Sequence, residues 1–304
     1  MKKATVIVNP IAGPGRSRTI GACVDLAKSV FANHHYDADV RVTTGPHDAN
    51  RFATEAVANH ADVVAAWGGD GTVNGAAAGV AGTGIPLAII PGGSGNGLAR
   101  DLTIPFDPAP AFEVAATGRV RAIDAGDLQG SLFFNVAGIG LDARIAGRLA
   151  TEGHRRGLMG YVLATVAELR SYQACAYSIS NVHDADGAAL AGDITHRRAL
   201  FIALANSRQY GSGAQIAPRA LLDDGLMEVV IVEPQSSVQI ARQLPAFFGG
   251  RLQEGPGIVM LSAASMDISC AEPIAFHVDG EPRIGPNRIT LQTRRGALLV
   301  KVNH

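Results

Sequence analysis

The stretch Val63-Val64-Ala65-Ala66-Trp67-Gly68-Gly69-Asp70-Gly71-Thr72-Val73-Asn74 constrains the fold more than any other. An unbroken apolar run ends in glycines, the pattern of a buried strand entering a turn, and helical sequence begins near Val73. The turn offers backbone N–H groups that no side chain shields. Ahead of a helix N-terminus such a turn is an anion cradle. Asp70 is the carboxylate inside it, and a carboxylate beside bound phosphate repels it unless a cation lies between. The stretch therefore points to a nucleotide with Mg²⁺, or to an acid–base role for Asp70. Two other phosphate loops fit poorly. No lysine follows the glycine turns, as a P-loop requires. The spacing Gly69, Gly71, Gly75 misses G-x-G-x-x-G by one residue, with no acidic residue some 20 positions on to hold a ribose. The plainer reading is a tight β–α turn whose glycines serve geometry alone.

Two further glycine turns follow strands. Thr5 to Val8 runs into Asn9-Pro10-Ile11-Ala12-Gly13-Pro14-Gly15-Arg16, and Pro86 to Ile90 runs into Pro91-Gly92-Gly93-Ser94-Gly95-Asn96-Gly97, then a helix through Leu102. Ser17 to Ala32 has helical periodicity with Ile20, Val24, Ala27 and Phe31 on one face. Asp39 to Thr43 reads as a strand before Thr44-Gly45-Pro46. Ala49 to His60 reads as a helix, and Asn74 to Ala81 as a small-residue helix. Strands alternating with helices imply a parallel sheet covered on both faces. Ligands of such sheets bind beyond the carboxyl ends of the strands. The turns at Asn9, Asp70 and Ser94 all fall at that edge; one is weak evidence, and three together indicate a nucleotide crevice.

The character changes after about Arg121. Strand-like pieces follow one another at Leu132–Val136, Tyr177–Ile179, Arg198–Asn206, Met227–Val232, Val259–Leu261, Met266–Cys270, Ile274–Val278, Arg288–Thr293 and Ala297–Val302. Asp186-Gly187, Asp223-Asp224-Gly225 and Asp279-Gly280 mark turns between them, the signature of an antiparallel β domain. Helical pieces interrupt it at Gly157–Ser171 and Ser237–Gly249, the latter with Ser236 or Ser237 as cap. A length of 304 residues, 47% hydrophobic and 17% charged, suits one large domain or two ordinary ones with a sizeable core. The net charge of −1 gives no electrostatic footprint for nucleic acid. Cys23, Cys175 and Cys270 share no motif spacing and read as free thiols in a reducing, cytoplasmic compartment. The apolar part of Met1–Val8 is too short for a signal h-region, and no run of 18 apolar residues offers a membrane-spanning helix.

Asp279-Gly280-Glu281 follows the strand Phe276-His277-Val278. Its spacing reads as a hairpin turn; the functional reading is a carboxylate at the domain junction serving as general base. Asp223-Asp224-Gly225 has the same two readings, with a cation site as the sharper one. Ser94 fits a phosphate-contacting hydroxyl better than a nucleophile, because no His or Asp placement supports attack. The histidines are scattered without H-E-x-x-H, and His277 reads as a strand residue rather than a ligand. Arg16, Arg18 and Arg100 flank the glycine turns, as solvated helix-start charges or as phosphate contacts.

Taken in order, Asn9-Pro10-x-Ala12-Gly13, Gly68-Gly69-Asp70-Gly71-Thr72, Pro91-x-Gly93-Ser94-x-Asn96 and Asp279-Gly280-Glu281 resemble the diacylglycerol kinase catalytic-domain family. That family takes in soluble bacterial diacylglycerol kinases, YegS-like lipid kinases and sphingosine kinases. Asn135-Val136-Ala137-Gly138-Ile139-Gly140-Leu141-Asp142 and Pro218-x-Ala220-x-x-Asp223-Asp224-Gly225 also resemble family segments, so the likeness covers nearly the whole chain. It implies a two-domain α/β plus β fold. A parallel-sheet nucleotide-binding domain, 1–125, is completed by 285–304, and an antiparallel β-sandwich lipid-substrate domain spans 126–284.

The resemblance further implies ATP and Mg²⁺ in the interdomain cleft and a lipid hydroxyl, such as that of diacylglycerol, as phosphoryl acceptor. Asn9, Pro10, Gly13, Thr44, Gly68, Gly69, Asp70, Gly71, Thr72, Asn74, Gly93, Ser94 and Asn96 match nucleotide-contacting positions. Glu281 matches the base, with Asp70 and Asp279 as further catalytic carboxylates; in sphingosine-type relatives the turn aspartate takes the base role. Leu221, Asp224 and Leu226 match a second, structural Mg²⁺ site, the leucines through their carbonyls. Ser94 and Gly97 depart from the family's G-T-x-N-D turn: the serine keeps the hydroxyl, and the acceptor lipid stays open. The alternatives are an NAD kinase, against which stands the missing Asn-Glu pair after the Asp70 turn, and a binding protein that has lost catalysis. Retention of Asp70, Asp279 and Glu281 speaks against the second. A lipid kinase needs a peripheral membrane contact. Candidates are Leu244, Phe247 and Phe248 near Arg242 and Arg251, and Arg155-Arg156 before Leu158 and Met159; the plainer reading puts both phenylalanines in the core. A homodimer stays open, and no nucleic-acid partner is expected.

Overall fold

The computed structural model describes residues 1–12, 20–152, 171–190, 192–211 and 213–303, together with Thr165 and Glu168. The chain divides into two compact units, Met1–Ile123 with Gly296–His304, and Asp124–Arg295.

In the first unit β1 (Lys2–Val8), β2 (Tyr36–Val42), β3 (Val63–Gly68) and β4 (Leu87–Pro91) run parallel in the order β2-β1-β3-β4. The end of the last strand, Arg288–Val302, pairs parallel to β4 at Val300 and Leu87. β3 and β4 are buried throughout, which is why they read as continuous apolar runs rather than alternating ones. The helices α1 (Ile20–Asn33), α2 (Asp48–Ala58), α3 (Asp70–Val80), α4 (Gly97–Asp101) and α5 (Pro108–Thr117) cover them. The small residues of α3 have a packing reason. A Cβ on Gly79 would come within 2.7 Å of the Ala53 methyl and 2.9 Å of the Asn50 carbonyl, so α2 and α3 lie unusually close. α5, unforeseen from the sequence, sends Phe112 inward against Phe31 and Trp67, at 5.9 and 5.3 Å between ring centroids. From β1 the chain steps to β2 on one side and to β3 on the other. The topological switch point, where such sheets bind ligands, therefore lies between β1 and β3.

The second unit is antiparallel. Its strands are β5 (Arg119–Leu128, entering from the first unit), β6 (Ser131–Phe133), β7 (Val136–Gly140), β8 (Cys175–His183), β9 (Ile194–Ala199), β10 (Phe201–Ala205), the short pair β11 (Gln209–Gly211) and β12 (Ala214–Gln215), β13 (Met227–Val232), β14 (Ile258–Ala263), β15 (Ser265–Cys270), β16 (Ala275–Val278), β17 (Glu281–Ile284) and β18, the last strand named above. One sheet has the order β14-β13-β10-β7-β16-β17; in the other, β15 pairs with β18 and β8, and β8 with β9. A core of Phe133, Ile139, Ile179, Leu204, Val229, Ile268, Phe276 and Leu291 draws on both sheets. On the opposite face of β10 and β13, Ala203, Ala205 and Val230 gather Ile216, Leu252 and the partly buried Phe247. The helices α6 (Leu141–Glu152) and α7 (Ser237–Phe248) belong here. Ser236, one of the two caps the sequence offered, caps α7 in a reciprocal capping box with Gln239.

Several sequence expectations change. Asp70 opens α3 instead of sitting in a loop ahead of it, with Gly69 as N-cap. The run Arg198–Asn206 splits into β9 and β10 at Leu200, whose N–H goes to the Val232 carbonyl. The two last strands are one 15-residue strand, β18, and the return to the first unit begins at Gly296. The start of the Ser17 helix and, apart from the helical Thr165 and Glu168, the Gly157–Ser171 helix lie outside the described residues up to Ser171. Among the described residues no helix is long and apolar enough to cross a membrane.

Candidate functional site

The carboxyl ends of β1, β3 and β4 are stitched together by their turns. The Asn9 N–H donates to the Trp67 carbonyl at 2.9 Å, and Asn9 Nδ2 donates to Thr72 Oγ1 at 2.9 Å. Asn9 Oδ1 accepts the Ile11 N–H, folding its own turn. The Gly92 N–H donates to the Gly68 carbonyl at 2.8 Å. A Cβ on Gly93 would lie 2.5 Å from the Gly69 Cα, so the two glycine turns touch where side chains would part them. Asp70 completes the link: Oδ2 accepts the Asn96 N–H at 2.9 Å and Oδ1 the Gly97 N–H at 2.7 Å. Asn96, at φ 50°, closes the third turn by accepting the Gly93 N–H and donating to the Gly93 carbonyl. Arg100 Nε donates to the Gly95 carbonyl, and its guanidinium lies 4.7 Å from the centroid of the Phe106 ring.

Donors for an anion remain. The N–H groups of Thr72 and Val73 both reach the Gly69 carbonyl, while those of Asp70 and Gly71 have no acceptor among the described residues. Gly71 is exposed, and a Cβ there would meet nothing within 4 Å, so its bareness serves no internal contact. Ser94 is exposed at the tip of the third turn and Asn74 lies one turn into α3.

The structure thus joins Asn9, Gly68, Gly69, Asp70, Thr72, Gly93 and Asn96, with Pro10, Gly71, Asn74 and Ser94 on the same segments. Thr44 stands apart at the end of β2: its N–H and hydroxyl, with the Gly45 N–H, go to Asp48 Oδ2. Those donors and Arg51, whose hydrogen bond is the strongest influence, hold the Asp48 carboxyl far below its ordinary range. Gly13, Arg16 and Arg18 lie outside the described residues.

In the second unit Asp279 and Gly280 form the two-residue turn of the β16–β17 hairpin, with φ of 49° and 88°. The Asp279 carboxylate is taken up by backbone: it accepts the N–H groups of Phe134, Asn135 and Val136 at 2.7, 3.0 and 2.9 Å. Burial pushes its pKa up to about 6 against those amides. This is the geometry of a strut, tying the hairpin to the segment that leads into β7. Glu281 begins β17 exposed, with Arg283 at 3.4 Å. Under the turn His277 Nε2 lies 2.7 Å from Asp142 Oδ2, both buried, a pair the sequence left as an ordinary strand residue and a family segment. Their separation of 135 residues leaves no local signal.

Asp224 Oδ1 accepts the Leu226 N–H at 3.0 Å, and Asp124 Oδ2 accepts the Gly225 N–H at 2.7 Å. Burial, then the neighbouring charges of Asp124 and Asp223, raise the Asp224 pKa. Leu221 is exposed, and among the described residues no group of three or more His, Cys, Asp or Glu side chains could hold a metal. On α7, Leu244 and Phe248 are exposed, whereas Phe247 stacks edge-on against Tyr210 at 5.9 Å and packs on the core. The two phenylalanines thus divide between surface and interior. Arg155, Arg156, Leu158 and Met159 lie outside the described residues.

Residues 3–128 match the model of the diacylglycerol kinase catalytic domain, and residues 135–302 that of the YegS C-terminal NAD kinase beta sandwich-like domain. A protein of Mycobacterium tuberculosis (strain CDC 1551 / Oshkosh) named diacylglycerol kinase is 31% identical over 289 residues, covering 92% of this chain and 88% of the relative. A protein of Pectobacterium atrosepticum named "Probable lipid kinase YegS-like" is 33% identical over 255 residues, covering 81% and 80%. A crystal structure described as that of "a putative diacylglycerol kinase from Bacillus anthracis str. Sterne" superposes with a TM-score of 0.77 at 26% identity, covering 99% of this chain and 98% of that one. With both units matched and the relatives spanning them, the chain belongs to the diacylglycerol kinase and YegS-like lipid kinase family.

Proposed function

We propose that the chain transfers the γ-phosphoryl group of ATP to a hydroxyl of a lipid such as diacylglycerol. The observation that carries the nucleotide half is the pair of interlocked turns after β3 and β4, with the α3 amides of Asp70 and Gly71 left open beside exposed Ser94. Backbone amides at a helix N-terminus suit a polyphosphate, and a serine hydroxyl adds one donor. The family relatives named for lipid or diacylglycerol phosphorylation carry the acceptor half.

Mg²⁺ fits the first unit through Asp70. Its two oxygens accept one amide each and keep further lone pairs, enough to hold a nucleotide-borne ion through water. When bound, the ion neutralises charge on the phosphate oxygens. A second ion fits the Asp224 turn, where a carboxylate strained by burial and by two like charges would be relieved by a cation; the Leu221 and Leu226 carbonyls are the other proposed ligands.

Within this reading the amides of Asp70 and Gly71 and the Ser94 hydroxyl orient the phosphates. Asp70 also fixes the third turn against the second. Glu281, exposed and unburdened by backbone donors, takes the acceptor hydroxyl's proton late in transfer. The exposed side chains of Val238, Leu244 and Phe248 on α7, beside Arg242 and Arg251, are the proposed contact with the bilayer surface.

The test is a transfer assay with γ-labelled ATP, mixed lipids in detergent and, separately, NAD⁺. Label in a chloroform-soluble lipid product is the expected result. Label in the NAD⁺ arm alone, or in neither, overturns the proposal.

A further inference from the structure

Glu281 is exposed. All four residues of β17 are exposed, so the place of its carboxylate depends on the turn just before it. Two groups fix that turn. Asp279 is pinned through its carboxylate to Phe134, Asn135 and Val136, and its N–H donates to the Val136 carbonyl. The Gly280 N–H donates to a side chain, His277 Nδ1, at 3.2 Å.

An amide only donates, so Nδ1 must present a lone pair. The ring proton then sits on Nε2 and faces Asp142 Oδ2 at 2.7 Å. The first residues of α6 supply that carboxylate, and β7 makes room for the pair. A Cβ on Gly138 would overlap both the Asp142 carboxylate and His277 Nε2. Asp142 thus selects the tautomer, and the tautomer leaves Nδ1 bare for the turn.

We propose that His277, held as its Nε2–H tautomer by Asp142, is a positioning residue that sets the Asp279-Gly280 turn and so delivers Glu281. The proposal rests on the reading of Glu281 as acceptor base. His277 touches no reacting atom. Its protonation would put a hydrogen on Nδ1 facing the Gly280 N–H, two donors opposed, and the turn would lose that bond. The charged groups facing the ring are Asp142 from α6 and Asp279 from its own hairpin. β6 and β7, also packed against β16, carry no titratable side chain, and β17 brings Glu281 and Arg283 to its exposed surface.

Two substitutions separate positioning from space-filling. In His277→Asn the side-chain oxygen can stand where Nδ1 stood and accept the Gly280 N–H. In His277→Gln the longer amide reaches toward Asp142 and leaves Gly280 unpaired, although it fills the cavity better. The expected result is a kcat for His277→Gln roughly 10-fold or more below that of His277→Asn, with the KM for ATP alike in both. A kcat for Gln equal to or above that of Asn, beside a normal loss in Glu281→Gln, overturns the positioning role alone. Unchanged turnover in Glu281→Gln overturns the base reading and the positioning role with it. Should both His277 variants fail to fold, ¹⁵N-histidine NMR of the unmodified protein, recorded above the pH at which the ring loses its second proton, decides: the Nε2–H tautomer is expected, and the Nδ1–H tautomer overturns the proposal.

Discussion

Asp70-Gly71 and Asp279-Gly280 are the same dipeptide put to opposite uses. Each aspartate accepts backbone N–H groups from a distant segment: Asp70 those of Asn96 and Gly97, Asp279 those of Phe134, Asn135 and Val136. Each therefore ties two turns together. The glycines differ. Gly71 follows its aspartate into a helix, its amide has no acceptor among the described residues, and a Cβ there would meet nothing within 4 Å. Gly280 sits at φ 88° in a hairpin, and its amide is taken by His277. One turn leaves its donors open; the other consumes its donors and is followed by the exposed Glu281. What an Asp-Gly pair does is decided by the acceptors of its amides, which a sequence motif does not state.

The largest effect that would break this comparison is catalytic. Glu281→Gln is expected to lower kcat by roughly 10²-fold or more with the fold intact. Steady-state phosphoryl transfer measures it, and a loss under about 3-fold would leave the second turn without its proposed chemistry.

Asp279→Asn comes next and acts on stability. The amide nitrogen would face a backbone N–H, leaving a buried donor unpaired at a cost of about 1–3 kcal/mol. Chemical denaturation of the second unit's signal checks this. The pH dependence follows from the signs. With a folded pKa raised to about 6, above the ordinary carboxylate value, Asp279 favours the folded state most when protonated. Its contribution declines as pH rises from about 4 to about 6. The His277 pKa is also raised, since burial, which alone would lower it, is outweighed by Asp142 and Asp279. Its contribution is fully present below about 6.5 and is lost as pH rises through the folded value. The substitution should remove the first of these slopes.

Ser94→Ala is expected to weaken ATP binding by about 1.5–3 kcal/mol, one hydrogen bond to a charged phosphate, while turnover persists on the remaining amides. Equilibrium dialysis with the nucleotide reads it out; unchanged affinity would reduce Ser94 to a turn residue.

The smallest effects sharpen the comparison between the glycines. Gly71→Ala should leave stability unchanged or raise it by up to about 1 kcal/mol, since alanine is the better helix former, yet weaken nucleotide binding where phosphate approaches. Gly280→Ala should cost about 1–2 kcal/mol of stability, because an alanine is strained at that φ, and leave nucleotide affinity alone. Thermal melts with and without ATP distinguish them. Gly71→Ala with wild-type affinity would mean that the open space above Gly71 is not where the ligand lies.

Much of the first unit was legible because its signals are local. Strand, glycine turn and helix follow one another at Val63–Val80, and the same order repeats before Asn9 and Ser94. Where non-local contacts decide, the sequence misled. α5 went unread, although Pro108 and Pro110 both fall in its first turn, where proline costs little. α6 was hidden behind Gly140, whose φ of 83° turns the chain directly out of β7. At β18 the segment Arg294-Arg295-Gly296 looks like a turn between two strands, yet the strand continues through it, with Arg294 paired to Asp127 at 2.8 Å. The pairing of Asp70 with amides 26 and 27 positions on, and of His277 with Asp142, depends on tertiary contact and left no trace in spacing.

The central claim is the division of labour between Asp70 and Glu281, and calorimetry of ATP·Mg²⁺ binding to their amide variants tests it most directly. Glu281→Gln is predicted to bind like the unmodified protein. Asp70→Asn is predicted to bind at least about 10-fold more weakly, because one oxygen that accepts Asn96 or Gly97 becomes a donor and the proposed metal contact loses its charge. Loss of binding in Glu281→Gln with full binding in Asp70→Asn would contradict the account.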